Sequence, residues 1–400
     1  MKKIELLSPA GDFERLKIAL LYGADAVYFG GREYSLRANA NNFSISDIKE
    51  ACNFAHSLNK KVYLTLNIVF HNEDIEGVYD FIKEVADAGI DAFIVSDPFI
   101  ISYIKNKYPK IEVHLSTQVS TTNIKAVEFY KKENIDRVVL ARELSKQEIK
   151  KIIDETGVDV EIFIHGAMCT FYSGRCVLSN YFTNRDSNRG GCAQVCRFAF
   201  DIENKENNFT MATKDLNTAT LIKEFIEMNV RSLKVEGRMR SPYYLATVMS
   251  SYRKIIDAYY NNELNDEVIM KEEKILARVA NRETSTHYYE HEADMTDQYY
   301  KGRQELSNQD FLGLILDYDK ENKIVTIAER NYFKSGQVVE IFTPSGNIYP
   351  FTIGQIYNEK MEELEAARHP EEIIKLVVDY DIEPFSMMRL KAWIKELIIW

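Results

Sequence analysis

Eight short apolar runs, each trailed by a stretch of helical periodicity, occupy the first 260 residues and set the strongest limit on the fold. The runs are Glu5–Pro9, Ala26–Gly30, Val62–Ile68, Ala92–Asp97, Glu112–Thr117, Arg137–Arg142, Val160–His165 and Ser232–Gly237. Continuous apolar runs of this length read as strands buried on both faces, the pattern of a parallel sheet. Helical spacing fills Phe13–Tyr22, Ile45–Leu58, Ile75–Ala88, Phe99–Lys107, Ile124–Glu133, Lys146–Thr156 and Thr218–Met228, and Pro242–Tyr260 follows the last run. Pro242 suits a first helical turn, with Ser241 as its cap. Four junctions repeat one turn: Gly23-Ala-Asp25, Gly89-Ile-Asp91, Asn134-Ile-Asp136 and Gly157-Val-Asp159. Each is a helix C-cap that feeds a buried strand. Eight such units predict an α/β fold of the TIM-type (β/α)8 class. The competitor, a doubly wound open sheet, runs fewer strands and wants a glycine-rich phosphate loop. The nearest match, Phe29-Gly30-Gly31-Arg32, is not G-x-G-x-x-G.

A chain of 400 residues exceeds one ordinary domain. The expected division is a barrel over 1–261, a helical and extended connector over 262–309, and a small β-barrel domain over 310–400. The last segment changes to alternating apolar and polar residues broken by turn signals. The connector's Tyr288, Tyr289, Tyr299 and Tyr300 suit packing against the barrel better than base stacking. With neither an 18-residue apolar run nor an apolar leader core, a cytoplasmic protein without a membrane span is expected. The formal net charge of −11 argues against indiscriminate nucleic-acid binding, which needs a broad positive surface. Two local islands run against that trend. One gathers Arg175, Arg185, Arg189 and Arg197 against Asp186; the other gathers Arg231, Lys234, Arg238 and Arg240 against Glu236.

Polar residues follow the carboxyl ends of the strands, where a barrel carries its active site. They are Arg37, Asn39, Asn67, Asp97, Ser116, Gln118, Arg142, Glu143, His165, Glu236 and Arg238. A long insertion over 166–197 starts at the end of the seventh strand. It holds four of the five cysteines, Cys169, Cys176, Cys192 and Cys196. Clustered thiols in a reducing compartment point to metal rather than disulfides. In the spacing C-x6-C-x15-C-x3-C only the last pair is as tight as those of most structural zinc sites, and the runs of ferredoxins are absent. Spacing alone leaves iron–sulfur against zinc open. Cys52, within a helical pattern, reads as a core residue.

The stretch Glu161-x-Phe163-x-x-Gly166-Ala167-Met168-Cys169, with Gly174-x-Cys176-x-Leu178-Ser179 after it, resembles the signature of the collagenase-like peptidases, unassigned peptidase family thirty-two. The opening E-L-L-S-P-A-G-D, the run A-D-A-V-Y-F-G-G and the later K-V-E-G-R-M-R-S are similar to other stretches of that family, so the resemblance spans nearly the whole chain. Length and two-domain layout resemble its transfer-RNA-hydroxylating branch. For that branch the resemblance implies oxygen-independent hydroxylation of wobble uridine to 5-hydroxyuridine. It implies prephenate, a small dicarboxylate, as hydroxyl source. It also implies a [4Fe–4S] cluster on Cys169, Cys176, Cys192 and Cys196. Assembly as a homo-oligomer, or with a paralogue, stays open.

The peptidase label carried by the family has little chemistry behind it here. A Cys169–His165 dyad is conceivable but leaves three cysteines unexplained. The seven histidines form no H-E-x-x-H, and G-x-S-x-G is missing. An RNA hydroxylase uses more of the sequence. Arg142, Arg175 and the other cysteine-loop arginines would meet phosphates. Lys234 and Arg238 would hold a dicarboxylate. Glu236, His165 or Glu143 would move protons, and Tyr172 or Phe171 would stack on an extruded base. For Lys234, Glu236 and Arg238 the competing reading is an internal ion-pair ladder, and for His165 a core histidine. A hydroxylase of a quinone precursor and a non-catalytic RNA-binding module stay as alternatives.

Overall fold

The Gly-x-Asp and Asn-x-Asp junctions are the local devices from which the barrel is built. Gly23, Gly89, Asn134 and Gly157 all take positive φ, which ends each helix and turns the chain inward. At three of the four, the aspartate two residues on then grips the second residue of the preceding strand. The Asp25 carboxylate accepts the Leu6 N–H at 3.0 Å, Asp91 that of Val62 at 2.8 Å and Asp136 that of Val113 at 2.7 Å. Helix starts are fixed in the same economical way. Asp12, Ser44, Asp97, Asn123, Ser145 and Ser241 each accept a backbone N–H of the first turn. Such caps are worth about 1 kcal/mol apiece.

The computed structural model describes residues 3–36, 42–203, 209–300 and 310–391. Arg37 and Asn39 lie outside the described residues. Strands β1 (Glu5–Pro9), β2 (Ala26–Gly30), β3 (Lys61–Leu66), β4 (Ala92–Val95), β5 (Glu112–Leu115), β6 (Arg137–Val139) and β7 (Asp159–Gly166) pair in parallel, each with the next. The short β8 (Asp215–Asn217) intervenes in sequence before β9 (Ser232–Val235), which lies between β7 and β1. Ser232 stands opposite both Glu161 and Glu5, so eight parallel strands close into a ring. This is the TIM-type barrel expected from the alternation. Helices α1 (Phe13–Leu21), α2 (Ile45–Ser57), α3 (Asn72–Asp87), α4 (Pro98–Lys107), α5 (Ile124–Lys132) and α6 (Lys146–Thr156) cross between strands. The short α7 (Leu178–Thr183) and α8 (Ile222–Glu227) precede the long α9 (Pro242–Tyr260) and α10 (Asp266–Ala277). The large core between ring and helices takes one side of every strand, through Leu6, Val27, Leu64, Phe93, Val113, Val138, Ile162 and Leu233.

β8 has no apolar run of its own. It pairs antiparallel with the end of β7, His165 opposite Asn217, and parallel with β10 (Thr284–Ser285), so it extends the rim rather than the ring. Past the insertion, Phe200 and Phe209 form an isolated antiparallel bridge. Of the connector's tyrosines, Tyr289 and Tyr299 are buried and Tyr300 is exposed.

The residues alternate to these on β1, β6, β7 and β9 point into the ring, and there the sequence is charged. Arg137 Nη1 meets Glu5 Oε1 at 2.6 Å and Glu161 Oε2 at 2.9 Å. Lys234 Nζ meets Glu161 Oε1 at 2.9 Å. Tyr63 and Ser232 donate their hydroxyls to Glu5. Leu7, Ala26, Tyr28, Tyr63, Ala92 and Ile94 form a small apolar cluster beside this chain of charges. Burial opposes ionisation of Glu161, but Lys234 and Arg137 overcome it and hold its pKa at about 2.

The second domain is an antiparallel sheet of β11 (Phe311–Asp319), β12 (Ile324–Glu329), β14 (Val338–Phe342), β15 (Ile348–Thr352), β16 (Ile356–Asn358), β17 (Glu363–Leu364), β19 (Ile373–Val377) and β20 (Met387–Leu390), with the ribbon β13 (Phe333–Lys334) and β18 (Ala366–Ala367) beside it. It wraps its own apolar core, as the expected small β domain does, with β15 and β17 at the two ends of the strand order among the described residues. Pro350 has no N–H to donate, which suits the edge strand it occupies. The domain docks on α1, α9 and α10. Tyr243 stacks on Phe311 at 4.7 Å, and Arg278 bonds Asp310 and Glu340. Among the described residues no helix is long and apolar enough to cross a membrane.

Glu161→Gln strands Lys234 and Arg137 as buried cations. A loss of about 3–5 kcal/mol is expected in urea unfolding, the cost of breaking a buried pair from one side. A loss below about 1 kcal/mol would show that the ladder carries little of the stability.

Candidate functional site

Between Gly166 and Phe198 the chain leaves β7 and folds over the carboxyl rim of the ring. Its path is set by contacts to four neighbouring strand ends. Arg142, after β6, donates to the Ala167 carbonyl at 2.6 Å and lies 3.8 Å from the Phe163 ring centre. Glu143 accepts the Ser173 N–H at 3.0 Å. Gly174, at φ 72°, lies so close to the end of β5 that a Cβ would stand 2.2 Å from the Gln118 carbonyl oxygen. Asn188 O accepts the Val69 N–H after β3, while Arg189 donates to Val69 O and pairs with Asp74 at 2.5 Å. Gly166, at φ 106°, has no room for a Cβ beside the Glu236 carbonyl after β9.

These ties bring the four cysteines together. The Cys176 carbonyl accepts from the Ser187 hydroxyl and, at 2.8 Å, from Asn188 Nδ2. Ser179, buried on α7, accepts the N–H of Ala193 beside Cys192 at 3.0 Å. The Cys196 carbonyl accepts from Thr210 at 3.3 Å. Cys169 is exposed and the other three are half-buried. Crowding by the surrounding chain raises the Cys196 thiol to about 11, and the charges of Cys169, Cys192 and Cys176 act on it in turn. Burial likewise raises Cys169, which feels Cys176 and Cys192. All four sulfurs thus share one electrostatic neighbourhood. Among the described residues, the ligand atoms drawn within 4.8 Å of one another in a group of three are those of His291, Asp294 and Asp297, not the thiols. Thiols raised in this way stay protonated at neutral pH, so loading a metal centre releases protons.

The other expected site residues fall into two groups. Lys234 is buried inside the ring on Glu161, and Arg238, also buried, donates to the Leu36 carbonyl at 2.6 Å and to Asn42 at 2.5 Å. Both are engaged by protein where a dicarboxylate was expected. Arg231 and Arg240 of the same island bond Lys3 O and Asp215. His165 is sealed against the Tyr252 hydroxyl at 3.1 Å, and burial with the nearby Arg240 pushes its pKa down to about 3. Glu236 lies at the rim, half-buried. Glu143 sits beneath the cysteine loop with its pKa raised by burial.

The second group faces solvent. Tyr172 is 61% exposed between Cys169 and Cys176, and Phe171 is half-buried. Arg175 is exposed, and while its N–H donates to the Tyr172 carbonyl, its guanidinium makes no ion pair or hydrogen bond among the described residues. It opens onto a cleft of about 260 Å³ lined also by Val69, Phe70, Ser96, Asp97 and Gln118. Arg197 is half-buried on Gln194. Sequence reasoning missed the anchors Ser179, Asn188 and Thr210. It also missed the exposed pair Tyr181 and Phe182, because a six-residue helix shows too few turns for its periodicity to be read.

Residues 11–299 match Peptidase family U32, and residues 307–389 match the Peptidase family U32 C-terminal domain. The chain is 47% identical over 401 residues to tRNA hydroxylation protein P1 of Bacillus subtilis, with 97% of this chain and 95% of that one covered. It is 37% identical over 305 residues to a protein of Porphyromonas gingivalis named collagenase, covering 71% and 73%. It is 36% identical over 262 residues to a 23S rRNA 5-hydroxycytidine synthase of Escherichia coli, covering 64% and 40%.

The fit of Gly174 against Gln118 gives a direct test of the loop's anchoring. Gly174→Ala should lift the loop from β5 and raise the maleimide labelling rate of the metal-free thiols several-fold; an unchanged rate would mean that the contact does not hold them.

Proposed function

The chain belongs to peptidase family U32, and on that footing we propose that it is an RNA-modifying enzyme that hydroxylates a pyrimidine of tRNA. The specific reading is conversion of wobble uridine to 5-hydroxyuridine, with prephenate as hydroxyl source and a [4Fe–4S] cluster on Cys169, Cys176, Cys192 and Cys196. The observation that carries it is the meeting of those four thiols on the barrel rim, beside an exposed ring and an unpaired guanidinium. The names of two relatives, one for tRNA and one for a ribosomal cytidine, support hydroxylation of a pyrimidine ring.

The donor set fits the group. Four thiolates are the ligands that iron–sulfur clusters take, and such a centre supplies one-electron transfer when bound. The chain's own residues do the rest. Tyr172 offers a face on which an extruded base can stack, as chemistry at a ring carbon requires. Arg175 offers a charge to a phosphate or to a carboxylate in the adjoining cleft. Glu143, with its raised pKa, holds a proton more readily than an exposed glutamate does. Lys234 and Arg238 act from behind. Lys234 fixes the ring wall, and Arg238 clamps Leu36 and Asn42 at the two ends of the segment that contains Arg37 and Asn39.

Proteolysis is disfavoured by His165. A thiolate–imidazolium dyad needs a histidine that keeps its proton near neutral pH, whereas His165 is buried, bonded to Tyr252 and held neutral. The histidines of the H-Y-Y-E-H run are equally engaged. His287 bonds Lys214 O at 3.0 Å and His291 bonds Asp297 at 2.8 Å.

Protein purified without oxygen should be brown, with a broad visible absorbance that Cys176→Ala removes; colourless protein with one bound zinc would refute the cluster. Deleting the gene should remove 5-hydroxyuridine derivatives from tRNA digests analysed by mass spectrometry, and re-expression should restore them. An unchanged nucleoside profile, with every paralogue also deleted, would refute the tRNA reading.

A further inference from the structure

α7 and the turn after it present a surface that the cysteine chemistry does not use. Tyr181 is 84% exposed and Phe182 58% exposed, on consecutive positions of a helix only six residues long. Aromatic rings left in water forgo a large burial gain, so a pair of them on one short helix needs a reason. Phe182 meets Phe200 edge to face at 5.7 Å, and Phe200 lies 6.4 Å from Phe198, so the patch continues along the loop. Arg185, two residues past the helix, is exposed; its N–H donates to the Ser179 carbonyl, but its guanidinium has no partner among the described residues. Arg189, by contrast, is consumed by Asp74. In a chain of net charge −11, the unpaired guanidinia of Arg175 and Arg185 bracket α7 along the sequence, one before it and one after.

The helix is also held rigidly in relation to the cysteines. Its start lies two residues after Cys176, whose carbonyl is bonded by Ser187 and Asn188. Its Ser179 hydroxyl accepts the N–H next to Cys192, and Thr183 donates to the Ser179 carbonyl. A ligand seated on α7 is therefore indexed to the sulfur site.

We propose that the exposed face of α7, Tyr181 and Phe182 with Arg185, binds the single-stranded RNA that flanks the reacting nucleotide. A neighbouring base stacks on an aromatic ring, and a backbone phosphate meets Arg185. The occupant follows from the chemistry of this face. Stacking on exposed rings is tolerant of base identity, and unpaired guanidinia supply the charge that a phosphate backbone needs. Duplex RNA keeps its bases stacked on each other and offers no free face. The inference rests on the reading of the protein as an RNA hydroxylase and adds the surface that holds the substrate beside the reacting base.

The test is fluorescence anisotropy of the full-length, anaerobically purified protein with a labelled RNA hairpin whose loop carries one uridine, and with a blunt duplex RNA as control. Tyr181→Ala should weaken hairpin binding by about tenfold with little change in salt dependence. Arg185→Ala should weaken it and flatten the slope of log Kd against log salt by about 0.7, one phosphate contact on a single strand. Both variants should keep the wild-type circular dichroism and visible spectra, since neither side chain is buried. Wild-type affinity in both variants overturns the proposal, leaves the RNA reading standing, and assigns the face to a protein partner instead. Equal loss of hairpin and duplex binding overturns the stacking role. No hairpin binding by the wild-type protein overturns the proposal together with the reading it rests on.

Discussion

The rim of this molecule depends on what fills the ring beneath it. A barrel interior is normally packed by branched apolar side chains. Here one layer is a chain of alternating charges, Glu5 to Arg137 to Glu161 to Lys234, that reaches across β1, β6, β7 and β9. Those strands include the three around the closure of the ring, where β9 bridges β7 and β1. Each charge is buried, so each needs its neighbours, and the register of the four strands cannot slip by one residue without leaving a bare ion. β7 and β9 in turn carry the elements that leave the ring at Gly166 and Glu236. The position of the cysteine loop is therefore inherited from the ion pairs under it.

The loop itself is fixed by polar ties rather than by a core. Arg189 meets the Val69 carbonyl after β3 and Ser173 the Glu143 carboxylate after β6, while Gly174 and Gly166 lie close against the Gln118 and Glu236 carbonyls after β5 and β9. Such a segment keeps its outer face free. Nearly all of its apolar exposure is aromatic: Tyr172, Tyr181 and Phe182, with Val177 between. A site of this kind divides the labour. The inward side gathers sulfur, and the outward side offers rings and unpaired positive charge.

Much of this was legible before any coordinates. The strand runs and the Gly-x-Asp junctions carry local physics, burial on both faces and left-handed C-caps, and they placed the ring strands and most helices within a few residues. The cysteines were legible because four thiols in one window have few other uses. Partnerships made across the ring were not legible. Lys234 and Arg238 read equally well as an anion pocket and as internal supports, because the sequence does not say that Glu161 and Asn42 face them. β8 escaped notice because its pairing is set by the rim and not by an apolar run. The strand order of the second domain depends on which strands meet, and alternation alone does not decide that.

The aspartates of the repeated turns have one more effect. Asp25 binds β2 to β1, Asp91 binds β4 to β3 and Asp136 binds β6 to β5, each with a carboxylate on the amide of a strand's second residue. On the β3 side Asp25 adds its backbone carbonyl, accepting from Lys61, and an ion pair with Lys60 at 3.1 Å, and on the β5 side Asp91 adds its carbonyl, accepting from Glu112. The wall thus carries charge on both sides of these turns: the aspartate carboxylates clasp β1–β2, β3–β4 and β5–β6, while Lys60 on Asp25 and Arg137 on Glu161 tie β2–β3 and β6–β7.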